Sequence, residues 1–186
     1  MFLVAGLGNP GPKYAGNRHN IGFMVIERLA DRWSAGSFRD KFKGRFSKTR
    51  FGGDDVVLLE PLTFMNLSGE SLQKAMTFFK VSLDEVVVVH DELDLGYGTS
   101  RIKVGGGTAG HNGLKSIVQQ CGGNGFVRVR VGIGRPRSGA TSGYVLSDFN
   151  SDERATLEDV VDSAAEMVEA VLRDGPRKAM NALHSK

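Results

Sequence analysis

Four consecutive valines, Val86 to Val89, run directly into His90 and Asp91, and no other stretch constrains the fold of this chain as much. A strand alternates its side chains between two faces, so a run that is apolar at every position must be covered on both. A sheet with helices packed on either side supplies that cover. Phe2–Leu7 has the same character and ends at a Gly/Asn/Pro turn. Segments of helical period separate the apolar runs. They predict a helix over Asn20–Trp33, with Ile26, Leu29, Ala30 and Trp33 on one face and Asn20 as its cap, and further helices over Ser68–Lys80 and Asn112–Cys121. The longest covers Ser151–Arg173, where Leu157, Val160, Val161, Ala164, Ala165, Val168, Val171 and Leu172 form one stripe. It halts at Gly175-Pro176, and a short helix closes the chain. Residues 44–51 and 55–60 read as a hairpin turning at Gly52-Gly53-Asp54, and Ser100–Val104 and Val127–Ile133 as two further strands. The expected fold is α/β: a single domain over residues 1–186, with a twisted mixed β-sheet and helices on both faces.

Several classes are excluded early. A single cysteine leaves no disulfide framework and no multi-cysteine zinc site, and Cys121 falls on the apolar face of its helix, where it is expected to be core. Aliphatic runs of four residues are far short of the about 20 that cross a bilayer. The opening MFLVAGLGNPG has no basic n-region, so the chain is expected to be cytoplasmic and without membrane partners. Glycine stands out, with 25 of 186 residues clustered in GLGNPG, VGGGTAGHNG and CGGNG. Such clusters bring backbone close to a ligand or into positive φ.

Charge is segregated. No acid lies between Asp94 and Asp148, a stretch that holds Arg101, Lys103, Lys115, Arg128, Arg130, Arg135 and Arg137. Residues 39–50 add six cations against one acid, whereas residues 148–174 carry nine acids and two arginines. A basic face collected around glycine-rich loops is the footprint of a polyanion. Alternation places Arg101 with Lys103, and Arg128 with Arg130, on single strand faces; if the two strands are neighbours, four cations form one wet patch.

Recognised motifs are weak one by one. Gly6 to Gly11 fits the dinucleotide fingerprint G-x-G-x-x-G, but Pro10 and Pro12 stand where the phosphate-binding helix should open. No Walker loop and no G-x-S-x-G elbow is present, so in a hydrolase water is the expected nucleophile. His19, His90, His111 and Asp91 gather at strand ends and could in principle hold a metal, though no local ligand pair supports it. His19 is the better catalyst candidate, because an imidazole held by a carboxylate is a competent general base near neutral pH. His184 reads as a surface residue. Asn9, Asn20, Asn66 and Asn112 recur at loop junctions, either as helix caps or as amides that orient a polar substrate or an oxyanion.

Taken together, GLGNPG (6–11), YAGNRHN (14–20), PLTFMNLSG (61–69), HDELDL (90–95), GGGTAGHNGLKS (105–116), RVRVGIGRP (128–136) and MNALH (180–184) resemble the bacterial peptidyl-tRNA hydrolase family in order and spacing. Asn17 stands where the family pattern usually has threonine, and Gly96 where it usually has proline. The resemblance implies a monomer without metal or other cofactor that cleaves the ester joining a peptide to the 3′ end of tRNA. His19 matches the family's general base, Asp91 its partner, and Asn9 the reader of the peptide main chain. Tyr14, Phe64, Asn66 and Asn112 match positions that bind the tRNA 3′ end, with Met65 and His111 lining the cleft nearby. Lys103 and Arg130 match a clamp on acceptor-stem phosphates. Asn66 is assigned to the oxyanion, with positioning of the water as the role for Asn112. The competing reading is a non-catalytic RNA-binding module on the same basic face, in which His19 and Asp91 are dispensable. A nucleotide-dependent oxidoreductase is a third class, disfavoured by the loop prolines.

Overall fold

The computed structural model describes residues 1–184. Strand β1 (Phe2–Gly6) leads through a long loop to helix α1 (Ile21–Arg32), then to β2 (Arg39–Lys41), β3 (Gly44–Phe51) and β4 (Asp54–Pro61). Helix α2 (Ser68–Phe79), strands β5 (Val86–Glu92) and β6 (Ser100–Val104), helix α3 (Asn112–Cys121) and strand β7 (Val127–Gly132) follow. The last third is helical: α4 (Thr141–Val145), α5 (Ser151–Asp174) and α6 (Pro176–His184). All seven strands join one sheet in the order β2-β3-β4-β1-β5-β7-β6. Its centre is parallel and both margins are antiparallel, so the sheet is mixed as expected.

Alternation along the central strands creates two cores. Val4, Val56, Leu58, Val87 and Val89 face α1 and α5, while Leu3, Ala5, Val57, Leu59, Val86 and Val88 face α2 and α3. Each of the four valines is at most 1% exposed. Full burial of such a side chain stabilises by roughly 1.5–3 kcal/mol, which makes β5 a rigid base for the polar residues at its end. Helix α5 begins with a capping box, in which Asn150 Oδ1 accepts from the Glu153 N–H and the Glu153 carboxylate accepts from the Asn150 N–H.

Some expectations are corrected. The basic stretch 39–50 forms an edge hairpin, β2 and β3, whose turn residues Phe42 and Lys43 have φ of 60° and 52°. Among its six cations, Arg45 is engaged within the molecule on Glu27 and Glu60, Lys43 on Glu70 and Lys41 over the Phe78 ring. Trp33 lies just past the end of α1, stacked on Phe51. His184 is not free at the surface, because its Nε2 accepts the Ile102 N–H at 3.0 Å and lays α6 over the edge strand β6. Cys121 is half-buried against the α2–α3 core, and burial pushes its thiol up to about 11, so it is a poor nucleophile. Among the described residues no helix is long and apolar enough to cross a membrane.

Candidate active site

The carboxyl ends of parallel β1 and β5 lie side by side, the position at which open α/β sheets place ligands. Helix α1 seats directly on those ends. A Cβ on Gly22 would come within 2.4 Å of Leu7 N, and one on Gly6 within 2.2 Å of Gly22 O. The first glycine of GLGNPG thus serves helix–strand contact, not a pyrophosphate. This close seating carries the 3-10 turn Arg18–Asn20 to the end of β5.

There the structure brings His19 and Asp91 together. Asp91, 2% exposed, holds its Oδ2 at 2.7 Å from His19 Nδ1 and its Oδ1 at 2.8 Å from His111 Nε2. His111 does more than line the cleft. It caps α3, its Nδ1 accepting the N–H groups of Gly113 and Leu114 at 3.1 and 3.3 Å. An accepting Nδ1 places the ring proton on Nε2, which donates to Asp91. His19 donates from Nδ1 to the other oxygen, and its Nε2 lone pair has no partner among the described residues. Burial alone would raise the Asp91 carboxyl; the rings of His111 and His19, which favour its ionised form by attraction whenever they are protonated and by their N–H donors throughout, outweigh it and hold the group below the usual carboxylate range.

The four-residue metal set does not assemble. His90 donates from Nδ1 to the Asp91 carbonyl at 2.8 Å, and burial, with His111 nearby, pushes its imidazole down to about 3. His19, Asp91 and His111 do bring ligand atoms within 4.8 Å of one another. Their N···O separations of 2.7 and 2.8 Å are those of shared protons, and His111 Nδ1 is engaged by two amides. The three groups bound a cleft of about 260 Å³ whose walls include Asn112, Arg135 and the α4 residues Thr141 and Val145.

Asn9 and Asn20 act as connectors, and none of the four asparagines caps a helix through its side chain. Asn20, the expected cap of α1, instead accepts the Asn9 N–H through Oδ1 and donates to the Asn9 carbonyl through Nδ2, both at 2.9 Å. Asn9 Oδ1 then accepts the Met65 N–H at 2.8 Å, which leaves the Asn9 Nδ2 as a donor without a partner among the described residues. Asn9 lines a second cavity together with Asn20, the residue after His19. Met65 is corrected: its side chain is 4% exposed, beneath Gly113, so its contribution is the main-chain amide and not a cleft wall. Phe64 is 56% exposed and meets Tyr14 edge-on at 6.5 Å, an aromatic pair open to solvent. Asn66 and Asn112 are exposed, Asn112 as the first residue of α3 behind the His111 cap.

Strands β6 and β7 are antiparallel neighbours that pair Arg101 with Arg130 and Lys103 with Arg128, so the four cations do share a face. They are not equally free. Arg128 is 2% exposed, its guanidinium donating to the carbonyls of Gly107 and Gly106 at 2.5 and 2.8 Å. It fixes the glycine-rich loop and meets no solvent. Arg130 pairs with Glu92 at 2.9 Å, while Lys103 lies along Gly106.

Arg18 is a residue that sequence reasoning missed, although a cation directly before His19 was a visible signal. Its buried guanidinium lies 4.1 Å from the Tyr144 ring centroid and donates to Ser147 Oγ at 2.5 Å and to Glu153 at 2.6 Å. Asn17, the departure from the family's threonine, donates to the Leu146 carbonyl at 2.9 Å. Both clip the His19 turn to the segment that carries α4. Arg18→Gln removes the cation paired with the Glu153 carboxylate, itself 11% exposed, and leaves it, among the described residues, only the Asn150 N–H of the capping box. Loss of one partner of such a pair costs about 3–5 kcal/mol, and urea unfolding at pH 7 is expected to show that drop; a loss under about 1 kcal/mol contradicts the clip.

Comparison with known proteins covers nearly the whole chain. The family model described as peptidyl-tRNA hydrolase matches residues 3–186. The chain is 50% identical over 189 residues to a peptidyl-tRNA hydrolase of Sorangium cellulosum, covering 100% of this chain and 85% of that protein. It is 48% identical over 184 residues to one from Geobacter sulfurreducens, covering 99% and 95%. The crystal structure of peptidyl-tRNA hydrolase from Acinetobacter baumannii superposes with a TM-score of 0.90 at 39% identity, over 97% of this chain and 93% of that one. With a family model over nearly its whole length, relatives about half identical to it and a matching fold, the chain belongs to the peptidyl-tRNA hydrolase family.

Proposed function

We propose that this enzyme, as a single-domain monomer without metal or cofactor, frees tRNA by hydrolysing the ester between its 3′ end and a peptide. The observation that carries the reading is the His19–Asp91 hydrogen bond of 2.7 Å at the floor of the cleft. His19 Nε2 takes a proton from a water as that water attacks the ester carbonyl. Asp91 holds the ring in the required tautomer and stabilises the imidazolium that forms, and His111 anchors the other oxygen of Asp91. Asn9 Nδ2 donates to the peptide main chain. Asn66 donates to the developing oxyanion, worth on the order of 10²–10³ in rate, and Asn112 positions the water. Protonation of the tRNA 3′ oxygen by His19 completes the exchange: one C–O bond breaks, one forms, and the base is restored.

Tyr14 and Phe64 offer ring faces to the unpaired 3′ nucleotides, where stacking contributes about 1–3 kcal/mol per base. Lys103, with Arg130 released from Glu92, holds acceptor-stem phosphates without reading sequence. Lys103→Ala together with Arg130→Ala is expected to weaken tRNA binding and flatten the plot of log K against log salt by about 1–2. Filter binding between 50 and 200 mM salt measures it, and equal slopes for variant and parent contradict the clamp. The RNA-binding alternative predicts that tRNA binds and no peptide is released. Release of tRNA from N-acetyl-aminoacyl-tRNA by the purified enzyme decides between the two.

A further inference from the structure

The cavity that Asn9 lines, about 370 Å³, contains a carboxylate for which the cleft chemistry has no use. Glu60, on the central side of the edge hairpin, is 0% exposed. Its Oε2 accepts from Arg45 Nε at 2.6 Å, but its Oε1 has no hydrogen-bond partner among the described residues. A buried acceptor left unmet costs about 1–3 kcal/mol, more when charged, and a native structure seldom keeps one without a reason. Three acids line the cavity, Glu27 from α1, Asp40 from β2 and Glu60 from β4, against the single cation Arg45 from β3. Arg45 is already shared between Glu27 and Glu60. Beside Asn9 and Asn20, the wall carries the apolar side chains of Phe23, Met24 and Leu62. Excess negative charge, an unmet acceptor and an apolar flank together describe a receptor for an ammonium on a methylene stem.

We propose that this cavity is a subsite for a cationic side chain of the peptide, with Glu60 accepting its ammonium and Phe23, Met24 and Leu62 flanking its stem. The inference rests on the assignment of Asn9 to the peptide main chain, because Asn9 connects the cavity to the reacting ester. Burial, against the opposing Arg45, pushes the Glu60 carboxyl up to about 7. Below that pH the group is neutral and grips an ammonium less well, so selection for cationic peptides strengthens as pH rises from 6 to 8.

The test uses peptidyl-tRNAs on one tRNA, with lysine or its uncharged counterpart norleucine second, third or fourth from the ester. The readout is the ratio of KM values within each enzyme, which cancels any change in the chemical step. In the parent, lysine is expected to lower KM about tenfold at one of these positions. Glu60→Gln should abolish the advantage, and Glu27→Gln, a change at the rim, should diminish it even if the buried variant folds poorly. Equal KM for lysine and norleucine at every position overturns the subsite, as does an advantage that survives in folded Glu60→Gln. Binding of the free lysine and norleucine peptides, followed by the amide resonances of Phe23 and Leu62, is measured in parallel. A lysine preference there without ester cleavage refutes the proposed reaction and keeps the subsite; cleavage without any preference does the reverse.

Discussion

His19→Ala is expected to lower turnover of N-acetyl-aminoacyl-tRNA by about 10²–10⁴ while leaving tRNA affinity within about twofold. The asymmetry follows from geometry. His19 touches Asp91 and the cleft, whereas the residues proposed to hold RNA sit on β6, β7 and the Tyr14–Phe64 pair. An uncharged ester does not require the histidine for binding, so its loss falls on kcat. Single-turnover cleavage and filter binding on the same preparation measure the two quantities. Turnover retained in the variant removes His19 from the mechanism.

Asp91→Asn should be nearly as damaging, for a reason particular to this site. The carboxylate accepts from two histidines at once, and an amide of the same shape can accept from only one. Its NH₂ group must then face an N–H donor. His111 cannot retreat to the other tautomer, because its Nδ1 accepts from the amides of Gly113 and Leu114. Either the α3 cap breaks or His19 is left with the wrong proton. Loss of the orienting carboxylate of a histidine base costs up to about 10⁴ in turnover. With the counter-charge gone, imidazolium is less favoured, so the acidic limb of the pH–rate profile moves to lower pH while the plateau falls. A profile unchanged in height and midpoint contradicts the pairing.

The elements that were legible in the chain are those governed by local pattern. Helix α3 begins and ends at the expected residues, and α5 extends one residue beyond its expected end to meet Gly175. The valine run of β5 lies at the centre of the sheet. Strand β2 was not legible, because Arg39–Lys41 are all exposed and carry no alternation. Helix α4 was not either: Thr141–Val145 has no apolar stripe and is held by Arg18 and by the Tyr144 hydroxyl on the Ile133 carbonyl. At the site, residue identities were readable and their connections were not. Asn20 is a good cap by local rules, but its bonds to the Asn9 backbone are long-range and prevailed. Strand alternation put Arg128 on the basic face; its burial depends on how the glycine-rich loop folds over it.

The account stands most directly on the fate of oxygen in one turnover. Cleavage of N-acetyl-aminoacyl-tRNA in ¹⁸O-water, with a chelator present, is predicted to place one labelled oxygen in the carboxylate of the released acid and none in the tRNA. It is predicted to do so in the parent and to fail in His19→Ala. Label in the tRNA 3′ hydroxyl, activity abolished by the chelator, or equal incorporation in the two proteins would contradict a water activated by His19 against Asp91.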